Sequence, residues 1–342
     1  MNVVVKEVRT RMELRKFIKF PDVLFKNESL YIPALHGEEK EALMPSKNPA
    51  FQYCDAKMWL AYKAKKVVGR VCAIINRRGN EIWNEKVVKF GWFDFVEDIS
   101  VCKCLLEKVE EFGRQHGMTE IHGPMGFTDM DKECWMIKGF DCHQNLSTIF
   151  NPPYYVDYIK RLGYKIDCEW QQYRVDIRQG IPEQISRIAN IVKEKYKLHV
   201  VHVKRRKDIL PYGKKFFHTL NDAYKNLYGF VPLLENEIEI QVKKYFTFVN
   251  LDLVSFVVNE DDEVVGFGIG LPDLSKALRK AKGRLFPLGW IPVLWSMYHY
   301  DTIDLLLTGV HPDWQKKGIH AIFHHNMHET ALARHLQYAY TN

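Results

Sequence analysis

The chain has 342 residues, more than one small module needs and close to the length of two domains. Its 46% hydrophobic and 27% charged residues exclude a disordered or collagen-like polymer, and a net charge of +7 is too mild at this length to imply nucleic acid, though it suits a polyanionic small ligand. The seven cysteines all precede residue 170 and none forms a C-x-x-C pair, so neither a disulfide framework nor a zinc ribbon is signalled.

Residues 1–16 mix acids and bases among apolar residues and lack the uninterrupted apolar stretch of a secretory signal, so a cytoplasmic protein is expected. β-rich runs at 58–64 and 67–76 flank a Lys65-Lys66 turn, and 88–95 follows a polar loop at 77–80; together they predict three antiparallel strands in a meander. Val101, Leu105, Leu106, Val109 and Phe112 then recur at helical spacing up to Gly117, and a short strand follows at 119–122. Pro152-Pro153 and Gly163 bracket a helix over 154–162, and 164–177 reads as a long strand.

Helical patterns continue at 185–196 after Pro182, at 216–227 and at 233–245. Strands are then predicted at 251–259 and 264–271 across the acidic turn 260–263, a third at 302–310, a helix at 315–336 and a strand at 337–340. The order strand, strand, strand, helix, strand thus occurs twice, which predicts an α/β protein with mixed sheets in two tandem modules, residues 1–177 and 178–342. Between 271 and 302 lies an insertion of about thirty residues, longer than loops usually run. It carries Lys276, Arg279, Lys280 and Lys282 on a short predicted helix, then Phe286, Trp290, Trp295, Tyr298 and Tyr300. Those aromatics suit an acidic or aromatic acceptor or a long acyl chain, or else cover the core or a subunit interface. The apolar stretch at 285–300 is broken by two prolines and a glycine and falls short of the roughly 20 residues of a membrane helix, so no membrane partner is expected.

Residues 307–321 read L-T-G-V-H-P-D-W-Q-K-K-G-I-H-A. A strand that turns through Pro312 and two lysines into a helix near Gly318 aims free main-chain N–H groups, and the positive end of the helix dipole, at one point that favours a phosphate. Lys316 and Lys317 add charge there, and Gly318 offers an approach free of a Cβ. The run V-H-P-D-W-Q-K-K-G-I resembles motif A of the GNAT superfamily of N-acetyltransferases, which cradles the pyrophosphate of acetyl-CoA between the family's fourth strand and third helix. The resemblance implies acetyl-CoA or another acyl-CoA as co-substrate, with Gln315, Lys316, Lys317, Gly318, Ile319 and His320 at the pyrophosphate and Thr308, Gly309 and Val310 pairing their main chain to the pantetheine arm. One departure is His320 at the family's last small position, where it either contacts phosphate or crowds it.

The equivalent junction of the first module, 95–102, carries Glu97 and Asp98 and no glycine; acids at a helix N-terminus repel pyrophosphate, so no cofactor site is expected there. Residues 151–164 resemble the family's fourth helix, which makes the first module a degenerate copy that shapes or covers the substrate cleft.

Direct acyl transfer to an amine is favoured because no nucleophile elbow is visible. Asp304, amid Ile303, Leu305, Leu306 and Leu307, is the candidate base; burial there raises a carboxyl toward a useful value, and its place six residues before Val310 matches the strand glutamate of the histone-acetyltransferase branch. The main-chain N–H of Val310 or its neighbour is the implied oxyanion donor. The family's acid, a tyrosine of the fourth helix, has no counterpart in the second module, which also lacks the closing strands unless another segment supplies them.

Other constellations read more plainly. Gly266, Gly268 and Gly270 lie inside a strand rather than at a strand-to-helix turn, which rejects a dinucleotide fingerprint and suggests close approach of a ligand or a neighbouring backbone. His324 and His328 lie opposite the apolar face of Ile319, Ile322, Phe323 and Met327, as on a solvated helix side, so no metal is expected. Asp129, Asp131 and Glu133 begin like a calcium loop, but Cys134 stands where the glycine is needed. The expected activity is an acyl-CoA-dependent N-acyltransferase acting on a small-molecule or peptide amine, with an oligomer left open. A tandem aminoacyl-tRNA-dependent aminoacyl transferase and a non-catalytic acyl-CoA-binding regulator are the alternatives.

Overall fold

A computed structural model describes residues 2–201 and 205–341. Two compact units emerge, Met1–Glu169 with Ser275–Val293, and Trp170–Leu274 with Leu294–Asn342.

In the first unit, β1 (Val4–Glu7), α1 (Arg11–Leu24) and α2 (His36–Ala42) precede β2 (Cys54–Lys63), β3 (Lys66–Asn76), α3 (Arg77–Trp83), β4 (Val87–Phe95), α4 (Ile99–Gln115), β5 (Glu120–His122) and α5 (Pro153–Arg161). The sheet runs β1-β2-β3-β4-β5, antiparallel except where β5 pairs parallel to β4 over Val87–Lys89. Ala64 and Lys65 both take positive φ, which matches the right-handed twist of the strands they join and moves the hairpin turn one residue earlier than expected. The apolar stripe of α4 is buried as its spacing demands, and Gly117 adopts φ 75 just past the helix.

In the second unit, β6 (Arg174–Asp176) is followed by α6 (Glu183–Tyr196), β7 (His199–Val200), α7 (Arg206–Tyr224), α8 (Glu235–Phe248), β8 (Val254–Val258) and β9 (Val264–Pro272). The insertion forms α9 (Ser275–Ala281), which belongs to the first unit, and α10 (Trp290–Tyr298), which runs across the 293/294 division; the second unit then continues with β10 (Thr302–Val310), α11 (Ile319–Ala333) and β11 (Tyr338–Thr341). The sheet order is β6-β11-β10-β9-β8-β7, with β10 and β11 parallel. Three antiparallel strands, a helix and a parallel strand therefore recur, as β2-β3-β4-α4-β5 and β8-β9-β10-α11-β11. The glycines of β9 make room for α11: a Cβ on Gly266 would stand 2.7 Å from Ile319, and one on Gly268 2.5 Å from Met327 Sδ. The close approach is thus that of a helix.

Three sequence expectations change. Residues 77–80 begin a helix, because the Asn76 side chain accepts from the Gly79 N–H and Asn84 closes the other end in the left-handed conformation; the polar run that reads as loop is the first turn of a capped helix. The long strand over 164–177 shrinks to β6, since Ile166, Cys168 and Trp170 are exposed and no face of the run is buried. β6 pairs antiparallel with β11, so the second sheet takes its edge strand from upstream in the same chain, and the units divide at 169/170. Finally, the helix expected from 315 starts at Ile319, after a 3-10 turn at Pro312–Trp314.

Candidate active site

β10 carries a bulge: Leu305 pairs with Gly270 and Leu307 with Ile269, which leaves Leu306 without a place in the register. The parallel pairing with β11 spans Thr302–Leu305, so beyond the bulge β10 has β9 on one side only among the described residues. The His311 N–H donates to Val265 O at 3.0 Å, and period-two alternation then turns the main-chain groups of Gly309 toward β9 and those of Thr308 and Val310 away from it. Two side chains confirm that parity. The Tyr224 hydroxyl of α7 donates to Thr308 O at 2.9 Å, and Gln315 Nε2 donates to Val310 O at 3.2 Å. The N–H groups of Thr308 and Val310 point the same way as those carbonyls. A Cβ on Gly309 would enter the Phe267 ring at 2.5 Å, so the glycine keeps β10 seated over that ring.

The turn after Trp314 bends through two left-handed residues, Lys316 at φ 62 and Gly318 at φ 83. Gly318 caps α11 without a side-chain hydrogen bond. Among the described residues nothing accepts from the main-chain N–H of Lys316, Lys317, Gly318, Ile319 or His320, whereas Ala321 N–H bonds back to Gly318 O at 3.0 Å. Left-handed residues alternating along a chain gather N–H groups into an anion-binding concavity, and the helix dipole adds positive potential there. The His320 side chain is exposed and leaves the turn open. Lys316 is exposed as well, while the Lys317 ammonium lies over the rings of Trp314 (4.6 Å) and Tyr196 (5.6 Å). A Cβ on Gly318 would face Val192 of α6 at 3.1 Å, so the glycine serves the positive φ and the α6 contact.

Asp304 is 1% exposed. It pairs with Leu271 of β9 on one side and Tyr340 of β11 on the other. Ile303 and Leu305 join the apolar cluster that includes Ala331 of α11, so alternation turns Asp304 to the opposite face of the sheet. Tyr224 is partly buried, and desolvation pushes its phenol up to about 12 against the lowering effect of its bond to Thr308, so the hydroxyl keeps its proton at neutral pH. Sequence reasoning missed Tyr224: it lies 84 residues before Thr308, and no local pattern links the two.

The first unit closes the equivalent corner with its own side chains. Phe95, the last residue of β4, donates its N–H to the Tyr155 hydroxyl at 2.9 Å and accepts at its carbonyl from the Tyr154 hydroxyl at 2.8 Å. The Tyr155 ring stacks on Phe95 at 4.2 Å. Asp98 caps α4, accepting from the Ser100 N–H and pairing with Lys63. An anion meets a carboxylate there, in contrast to the open amides of α11. Elsewhere, no cluster of metal-ligating side chains exists among the described residues, and Asp131 accepts from the N–H groups of Phe127 and Thr128 within its loop.

No protein-family model matches the chain. It is 26% identical over 317 residues to Protein YghO of Escherichia coli (strain K12), covering 91% of this chain and 80% of that protein. It is 28% identical over 294 residues to the bacterial ceramide synthase of Caulobacter vibrioides, covering 85% of this chain and 75% of the relative. Among solved structures, 99% of the chain superposes on a fungal multi-domain GH3 β-N-acetylglucosaminidase that contains a GCN5-related glucosamine N-acetyltransferase region, with TM-score 0.52 and 12% identity, over 35% of that chain. A tandem GNAT protein from the clavulanic acid biosynthesis pathway matches with TM-score 0.51 and 9% identity, covering 99% of this chain and 89% of that one. The two repeats of strand, strand, strand, helix and parallel strand thus share the fold of tandem GNAT proteins.

Proposed function

We propose that the chain is an acyl-CoA-dependent N-acyltransferase whose second module holds the donor. The observation that carries this reading is the open group of amides from Lys316 to His320, set at the end of a strand that turns the N–H groups of Thr308 and Val310 outward. The pyrophosphate sits on those amides with Lys316 beside it, and Gln315 holds the turn by its bond to Val310 O. The outward N–H of Thr308 supplies the strand edge to the pantetheine arm, Gly309 keeps β10 seated over the Phe267 ring, and the Val310 N–H faces the thioester oxygen as it becomes anionic. The acceptor nitrogen attacks the carbonyl carbon and the C–S bond breaks. Asp304 takes the proton that the nitrogen sheds, and the Tyr224 hydroxyl gives one to the departing thiolate.

The relative named ceramide synthase supports a fatty acyl group and a lipid-like acceptor, since ceramide is a fatty amide of a long-chain amino alcohol. A long acyl chain and a lipid-like amine are therefore the first substrates to try, ahead of acetyl-CoA with small polar amines. Titration calorimetry with CoA thioesters of increasing chain length, followed by turnover on an amine panel, tests the reading. Binding without turnover on any amine leaves a regulator, and no binding at all removes the donor site.

A further inference from the structure

The second half of the insertion, α10 and the turn before it, does not cover the core. In α10 the residues Trp290, Ile291, Leu294, Trp295 and Tyr298 are all exposed, Trp295 to 64% and Tyr298 to 67%. Their spacing puts them on a single helical stripe, the one that a packed helix turns inward. The turn before it adds Phe286, 82% exposed, and Leu288, 67% exposed. No residue of α10 is buried.

The segment is nevertheless held in place. Gly283 O accepts from the His36 N–H at 2.9 Å, Arg279 reaches Leu30 O at 3.3 Å, and Ala277, Leu278 and Ala281 of α9 are buried. A Cβ on Gly283 would fall 2.6 Å from His36 Nε2, so the chain is pressed against α2 there. An ordered scaffold thus presents an apolar stripe to solvent, the reverse of ordinary amphipathicity.

Charge identifies the occupant. Residues 274–300 contain Lys276, Arg279, Lys280, Lys282 and Arg284 and no acid. Lys276, Lys280, Lys282 and Arg284 are exposed. On α1, desolvation and then the like charges of Arg15 and Arg284 hold the Lys19 ammonium below its ordinary value against the opposing effect of Asp22, so Arg284 adds to the positive potential around Lys19. Aromatic residues in an apolar stripe with a basic collar are the composition of a helix that lies in the boundary layer of an anionic membrane. At nine residues α10 is about 14 Å long, too short to cross the roughly 30 Å hydrocarbon core.

We propose that the apolar stripe of α10, with the Phe286–Leu288 turn, lies flat on an anionic phospholipid surface while the neighbouring lysines and arginines contact the headgroups. The inference stands on the exposed helix and is independent of the acyl donor.

The test is flotation of the full chain with vesicles of phosphatidylcholine alone and of phosphatidylcholine mixed with phosphatidylglycerol. The chain is expected to float with the mixed vesicles, with a blue shift of tryptophan emission, and to stay down with phosphatidylcholine alone. Phe286→Ser with Trp295→Ser, and separately Lys280→Glu with Lys282→Glu, are expected to weaken that binding by roughly tenfold or more. These side chains are exposed, and circular dichroism checks that each variant is folded. Failure to float with either vesicle, or flotation unchanged in both variants, overturns the proposal. So does a concentration-dependent dimer that the serine variant abolishes in the absence of vesicle binding, which assigns the stripe to a second copy of the chain.

Discussion

Asp304 stands directly opposite Tyr340 across the parallel pairing of β10 and β11, one residue before the last paired position and two before the bulge at Leu306. The carboxylate is therefore fixed in a buried strand next to the stretch of β10 whose outer edge is unpaired among the described residues. Replacement by Asn keeps the shape and removes the carboxylate proposed as the base. Asp304→Asn is expected to lower turnover by about 10²–10⁴-fold while acyl-CoA affinity stays the same. Steady-state kinetics beside calorimetry check this, and turnover unchanged across pH removes Asp304 from the chemistry.

Gly318 holds φ 83 at the cap of α11, a conformation that a Cβ disfavours, and the added carbon would stand 3.1 Å from Val192. Gly318→Ala is expected to cost about 1–2 kcal/mol of stability and to weaken acyl-CoA binding by shifting the amides that follow. Denaturant unfolding and ligand titration of the same preparation measure both effects. Loss of neither would mean that the turn tolerates another geometry.

Asp98 supplies a pH dependence with a definite sign. The Lys63 hydrogen bond, then that of Ser100, lowers its carboxyl from 3.8 to about 2. The depressed value belongs to the folded state, so the stabilisation is present in full at neutral pH and is lost as the pH falls from about 4 through about 2. Asp98→Ala is expected to cost about 1 kcal/mol at pH 7, a figure kept small because both side chains are partly solvated. The gap between variant and parent in urea unfolding should narrow at acid pH; a gap that widens there contradicts the assignment.

The Tyr155 hydroxyl is the acceptor for the buried N–H of Phe95. Tyr155→Phe leaves that donor without a partner and is expected to cost about 1–3 kcal/mol, with acyl-CoA binding unchanged because the corner belongs to the first module. If the substitution abolishes acyl-CoA binding at unchanged stability, the division of labour between the modules is wrong.

The recurring strand-helix order was legible in the sequence because β-rich runs bounded by turn residues mark β2, β3, β4, β9 and β10, and helical spacing marks the buried stripe of α4. The edge strands β1 and β7 carried no such signal, since a strand of two to four residues buries too little to show one. The turn at Gln315–Gly318 was legible from its lysines and glycine. The direction of the Lys317 head was not, because it depends on Trp314 and on Tyr196 of α6, a contact set by the tertiary fold. Tyr224 was hidden for the same reason. The exposed stripe of α10 was present as composition, but only the fold reveals that those aromatics face outward.

The central claim is that a CoA thioester rests on the amides opening α11 and along the outward edge of β10. Hydrogen exchange of the full chain with and without a long-chain acyl-CoA tests it most directly, because those amides have no acceptor within the described residues. Slowed exchange at Lys316–His320, Thr308 and Val310, with the corner around Phe95 to Ser100 unchanged, is the predicted result. Unaltered exchange at Lys316–His320 under saturating ligand, or protection confined to the first module, would contradict it.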